Sequence, residues 1–267
     1  MFTISRLAAA ALATALTAPV AHAATTFVGE VTGDTIFGNG GNTNRGFTVT
    51  QENGIELGLR AKVRYPSASD SIAALGNGGT SSVYTQQAGA VGTSFRPTWA
   101  FDWSINSDWE NGAVKLGAYD YRISLDVDPD GAGTTFYSTL YGQDDPVNFS
   151  GTPTPDHSFG NNSTGANAGT ERVNFNVLSE YQDLVDGNNL VQNTFNYSFM
   201  FSDLSVFDPS RNGVYTIKLE AFEKGTSNLL ASSSIDVNVV PLPAGALLIG
   251  TAFLGAGAVR RWGRRAA

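Results

Sequence analysis

The stretch IELGLRAKVRY, from Ile55 to Tyr65, decides the fold class. Ile55, Leu57, Leu59, Ala61, Val63 and Tyr65 alternate with Glu56, Gly58, Arg60, Lys62 and Arg64. A period of two places successive side chains on opposite faces of a strand, so one face is expected in a core and the other in water. The same alternation recurs downstream. Tyr119, Tyr121, Ile123, Leu125 and Val127 show it, as do Phe195, Tyr197, Phe199 and Phe201. Tyr215, Ile217, Leu219 and Ala221 repeat it, then Ile235, Val237 and Val239, with a shorter set at Val173, Phe175 and Val177. One dry face and one wet face is the antiparallel pattern.

Turn-forming clusters separate these runs: GNGGNTNRG (38–46), GNGGTSS (76–82), DPDGAG (128–133) and GNNSTGANAG (160–169). Many strands joined by Gly- and Asn-rich connections predict an all-β antiparallel β-sandwich over residues 24–238, with a jelly-roll-like order as one form. Two smaller sandwiches divided near 90–95, or a barrel, satisfy the same pattern. One short helix is expected, around Ser179 to Val185. Residues 142–170 hold almost no apolar side chains and read as a long loop, a feature that is functional or mobile as a rule.

The first 23 residues have another logic. Arg6 precedes an apolar, Ala-rich run from Leu7 to Val20, and Ala21-His22-Ala23 is an A-x-A cleavage signature. This is the pattern of a signal peptide, so the Sec translocon and signal peptidase are expected partners. Charge follows the same division. The chain has 16 Lys and Arg against 24 Asp and Glu; setting aside Arg6 and four arginines at the far end leaves 11 against 24, a net of −13. A body this acidic repels nucleic acid and anionic lipid and attracts divalent cations. Cysteine is absent, which excludes disulfides, thiolate metal sites and a Cys nucleophile.

Residues 239–267 form a second export-related segment, VVPLPAGALLIGTAFLGAGAVRRWGRRAA. Ala244 to Val259 is uncharged over 16 residues. As a helix it spans about 24 Å, less than the roughly 30 Å hydrocarbon core of a bilayer. Snorkelling of the following arginines can stretch it to a marginal span. Arg260, Arg261, Arg264 and Arg265 would then stay cytoplasmic by the positive-inside rule. Pro241 and Pro243 hold the preceding segment extended at the outer face, where a membrane-embedded protease would grip it.

The order of motif, short helix and basic end resembles the C-terminal sorting signals of the PEP-CTERM class, in its VPLPA-CTERM variant. The motif residues here are Val240, Pro241, Leu242, Pro243 and Ala244, with Gly245 next. The resemblance covers about the last 28 residues and lacks the Glu of the commoner Pro-Glu-Pro form. It implies recognition and cleavage by an exosortase-type membrane enzyme in a Gram-negative bacterium. It also implies release or surface attachment of the body, and a link to exopolysaccharide or biofilm material. It assigns the body no activity.

Within the body, three features invite a functional reading. Asp126, Asp128 and Asp130 stand at alternate positions before Gly131, like the start of a calcium loop. Tyr137 occupies the twelfth position where a bidentate Glu belongs, and Asp-Pro-Asp-Gly is good type I turn chemistry without any metal, so a plain acidic turn is the favoured reading. Ca²⁺ is the one cofactor that Asp126, Asp128 and Asp130 would suit. Trp99, Trp103 and Trp109 lie within RPTWAFDWSINSDW (96–109) and would stack on sugar rings if exposed; Trp99, Phe101 and Trp103 share one strand face, and aromatics so placed are more often core. His157 beside Asp156 is the one histidine after the leader, and the chain has no G-x-S-x-G elbow, P-loop or dinucleotide fingerprint. The expected protein is an exported, non-enzymatic surface or matrix component. A carbohydrate- or Ca²⁺-binding module is the alternative, and a secreted hydrolase the third.

Overall fold

The computed structural model describes residues 23–35, 44–64, 82–90, 96–129, 135–139, 157–166, 168–172, 178–196 and 207–241. The described chain is all-β apart from one helix and a short 3-10 turn. Its strands are β1 (Thr25–Gly29), β2 (Phe47–Glu52), β3 (Ile55–Val63), β4 (Val83–Gln87), β5 (Trp99–Asn106), β6 (Tyr119–Asp126) and β7 (Thr135–Thr139). There follow β8 (His157–Gly160), β9 (Thr170–Arg172), helix α1 (Leu178–Gly187), β10 (Leu190–Phe195), β11 (Gly213–Glu223) and β12 (Leu229–Val240).

The strands form two sheets. The first runs β1-β2-β3-β5-β10-β8-β9 and the second β4-β12-β11-β6-β7. Every pairing is antiparallel except β4 with β12, which is parallel. Both orders are open, so the described strands do not close into a barrel. Nor do they divide near 90–95: β3 pairs with β5, and β4 pairs with β12, across that point. The β2–β3 hairpin turns on Asn53 (φ 52) and Gly54 (φ 79), the two left-handed positions of a type I′ turn.

One hydrophobic cluster draws on both sheets. Leu57, Leu59, Trp99, Phe101 and Trp103 come from the first, and Tyr215, Ile217, Leu219, Ile235 and Val237 from the second. Ring contacts join them: Trp99 lies 6.0 Å from Tyr215 and 6.5 Å, edge-on, from Phe207. Helix α1 closes one side, with Tyr181 edge-on to Phe159 at 5.4 Å. It matches the helix expected over 179–185 within two residues at each end.

The structure corrects the sequence reading in several places. The polar half of the opening stretch is not wet as far as Lys62; Arg64, beyond β3, is partly exposed. Glu56, Arg60 and Lys62 are as buried as their apolar neighbours, and all eight residues of β5 are buried. The reason is non-local. The segment Val31–Thr35 crosses the outer face of the first sheet, where Thr35 N donates to Gln192 Oε1 at 2.8 Å. Val31, Phe47 and Val49 make a second, small core there. Gly58 allows that approach, for a Cβ on it would sit 2.5 Å from Val31 Cγ1. The expected loop over 142–170 contains β8, whose Phe159 is 1 % exposed in the core. Of the alternating set Phe195, Tyr197, Phe199 and Phe201, only Phe195 is described, as the last residue of β10. Asn196, which follows β10, donates Nδ2 to the carbonyls of Pro97 and Trp99. Tyr197, Phe199, Phe201, Val173, Phe175 and Val177 lie outside the described residues.

Candidate functional site

The chain leaves the body at the end of β12. That strand alternates between buried and partly exposed positions up to Val239, because Ala231, Ser233, Ile235, Val237 and Val239 face the core. The β11 ladder stops with Gly213 opposite Val239. The β4 ladder goes one residue further, to Gln87 opposite Val240. There Ala88 N donates to Val240 O at 2.8 Å. Pro241 follows, exposed and outside any ladder; its tertiary amide has no N–H to donate to one. The body therefore runs into the proline motif with no spacer. Leu242, Pro243 and Ala244 lie outside the described residues, as do the apolar segment 244–259, the arginines Arg260, Arg261, Arg264 and Arg265, and Ala21. Ala23 is the first described residue and is exposed. Among the described residues no helix is long and apolar enough to cross a membrane.

The turn that holds β4 in place is well tied. Gly89 N donates to Pro209 O at 2.8 Å, and Thr98 N donates to Gly89 O at 3.1 Å. Thr98 Oγ1 donates to Gln87 O at 3.1 Å. Tyr84, 2 % exposed, anchors β4 to the first sheet through its hydroxyl, which donates to Gly46 O at 3.0 Å.

The acidic turn lies at this same end. Pro129 packs so close to Gly213 that a Cβ on the glycine would fall 2.3 Å from the proline Cβ. Within the turn, Asp126 Oδ1 accepts Asp128 N–H at 3.0 Å, the side-chain-to-backbone bond of an Asx turn. Asp128 Oδ1 lies 3.3 Å from Arg211 Nη2. Both described carboxylates thus serve the turn and an ion pair, and Asp130 lies outside the described residues. No group of three His, Asp or Glu side chains among the described residues is arranged to hold a metal ion.

The tryptophans are corrected in part. Trp99 is 1 % exposed and Trp103 is 0 % exposed, so neither can stack on a sugar. Their face of β5 points at the second sheet. Trp109 stands apart: it follows β5, is half-buried, and accepts Asn162 Nδ2 at its carbonyl at 3.0 Å. His157 opens β8; its side chain lies outside the described residues.

The main titratable cluster was not legible in the sequence. Asp102, on β5, is opposite Arg60 on β3. Its Oδ2 takes Arg60 Nε at 2.6 Å, and its Oδ1 takes Lys62 Nζ at 2.8 Å and Thr194 Oγ1 at 2.6 Å. Burial alone would raise the Asp102 carboxyl; Lys62 and Arg60, with the Thr194 hydroxyl, outweigh that and bring it down to about 2. Burial lowers the Lys62 ammonium, and Asp102 opposes the shift. The Arg60 guanidinium also lies over the Phe47 ring, 4.2 Å from its centroid. Glu56, on the same face, accepts Thr32 N at 2.6 Å and Gln51 Nε2 at 2.7 Å, while burial raises its pKa. Through Asp102 the cluster cross-links β3, β5 and β10. The one hint in the sequence was the pair Arg60 and Lys62 on one strand face, for two cations there require an anion if buried.

Comparison with family models, curated proteins and solved structures gave no match.

Proposed function

We propose that the chain is an exported, non-enzymatic protein of the cell surface or extracellular matrix. On this reading its two sheets pack as a β-sandwich over residues 24–238. The C-terminal segment is a sorting signal, cleaved by an exosortase-type membrane enzyme, and exopolysaccharide is the surrounding material. The observation that carries the reading is the junction at Val240. The last strand fills its place in the second sheet up to the first residue of the motif, and the proline-containing segment leaves the ladder at Pro241. Both ladders of β12 are complete by Val240, so on this reading removal of the tail costs the described sheets no strand. The burial of Trp99 and Trp103 and the internal use of Asp126 and Asp128 weigh against the binding-module alternative.

Substitution of both prolines tests this reading. Pro241→Ala with Pro243→Ala leaves β12 intact and lets the segment leave its extended form. The expected outcome is accumulation of uncleaved chain in the membrane fraction of the exporting cell, with the body still folded. Unchanged release of the double variant would refute recognition through the motif.

A further inference from the structure

We propose that β4 latches the first residue of the sorting motif to the body and thereby limits how fast the tail is processed. The inference rests on the sorting reading above and adds a control to it. A protease binds its substrate as an extended segment whose backbone groups pair with the enzyme. Prolines at 241 and 243 favour that form by their chemistry, because each fixes its own φ and biases its predecessor to extended geometry. Val240 is not open to such pairing, because its carbonyl already accepts Ala88 N–H and its Cα partner is Gln87. An enzyme that grips all five motif residues must first break that contact.

The contact is held from behind. Ala88 cannot drift away alone, for Gly89 is bonded to Pro209 and Thr98, and Gln87 to Thr98 Oγ1. Tyr84 pins the same strand to Gly46. On the other flank β11 has already ended opposite Val239, so the grip on Val240 comes from β4. Strand ends open locally at a small fraction of the global unfolding free energy. The opened population at Val240 therefore sets the supply of complete motif. The parallel sense of β4 and β12 gives this arrangement a purpose that a simple edge strand lacks: both strands end together, at the point where the tail begins.

Two variants test the latch by pulse-chase of the full-length chain in the exporting cell. Ala88→Pro removes the N–H that Val240 uses. Insertion of Gly-Ser-Gly-Ser-Val after Val240 leaves β12 and β4 whole and supplies a free valine ahead of Pro241. Both are expected to shorten the half-time of tail removal several-fold, the insertion doing so with an unchanged melting temperature of the released body. A wild-type tail that is cut, with the insertion variant cut no faster, overturns the latch and leaves the sorting reading standing. A wild-type tail that is never cut overturns both.

Discussion

Asp102→Ala is expected to destabilise the body by about 3–5 kcal/mol, the cost of leaving a buried ion cluster without its counter-charge. For a body of this size that corresponds to a fall in melting temperature of about 6–20 °C. Arg60 and Lys62 are 1 % and 3 % exposed, so neither can turn to water without opening the outer face of the first sheet. The loss comes from the two stranded cations more than from the missing contact. Replacing all three charges by apolar residues of similar volume, Arg60→Met, Lys62→Met and Asp102→Leu, is accordingly expected to be near neutral or stabilising. Urea unfolding of the released body decides between these outcomes. A loss below about 1 kcal/mol for Asp102→Ala, the range of exposed ion pairs, would mean that the cluster is solvated.

The same cluster gives a pH dependence with a definite sign. The folded carboxyl of Asp102 lies at about 2, below its ordinary value of 3.8. The folded state therefore binds that proton less tightly than the unfolded chain. Its contribution, about 2 kcal/mol, is complete above about pH 4 and is lost as the pH falls through 2. Glu56 acts in the opposite sense, because its folded pKa is raised. Acid unfolding should be less steep between pH 4 and 2 in Asp102→Asn than in the parent.

Trp103→Ala is the second large effect, with an expected cost of about 3–5 kcal/mol. The side chain is 0 % exposed and meets Phe195 edge-on at 5.8 Å. Its removal leaves a cavity between rigid strands that cannot collapse to fill it. Trp109→Ala, at a half-buried position beyond the strand, should cost far less. Retention on insoluble polysaccharide, measured beside thermal unfolding, separates the two roles. An unchanged melting temperature with lost retention in Trp103→Ala would restore the sugar-binding reading of that residue.

The apolar half of IELGLRAKVRY was legible because its cause is local: a period of two needs only neighbours in the chain. What lies against the other half was not. Val31 and Phe47 reach Gly58 and Arg60 from elsewhere in the sequence, and nothing in 55–65 announces them. Strand β4 was missed for a related reason. Its residues VYTQQ are mostly polar, and its place is set by a parallel ladder to a strand some 150 residues later and by the Tyr84 hydroxyl. β8 hid in a polar run because one residue, Phe159, carries its packing. The reading of the tail rests on a linear pattern and so is visible without a fold. Its attachment to Ala88 is a tertiary fact and appears only in the structure.

The intact mass of the chain recovered from the medium and from the membranes of the exporting cell tests the central claim most directly. The account predicts a released species that begins at Ala24 and ends within Val240–Ala244. A mature species that stays in the membrane and still carries Arg260 to Ala267 would contradict it and leave a tail-anchored envelope protein.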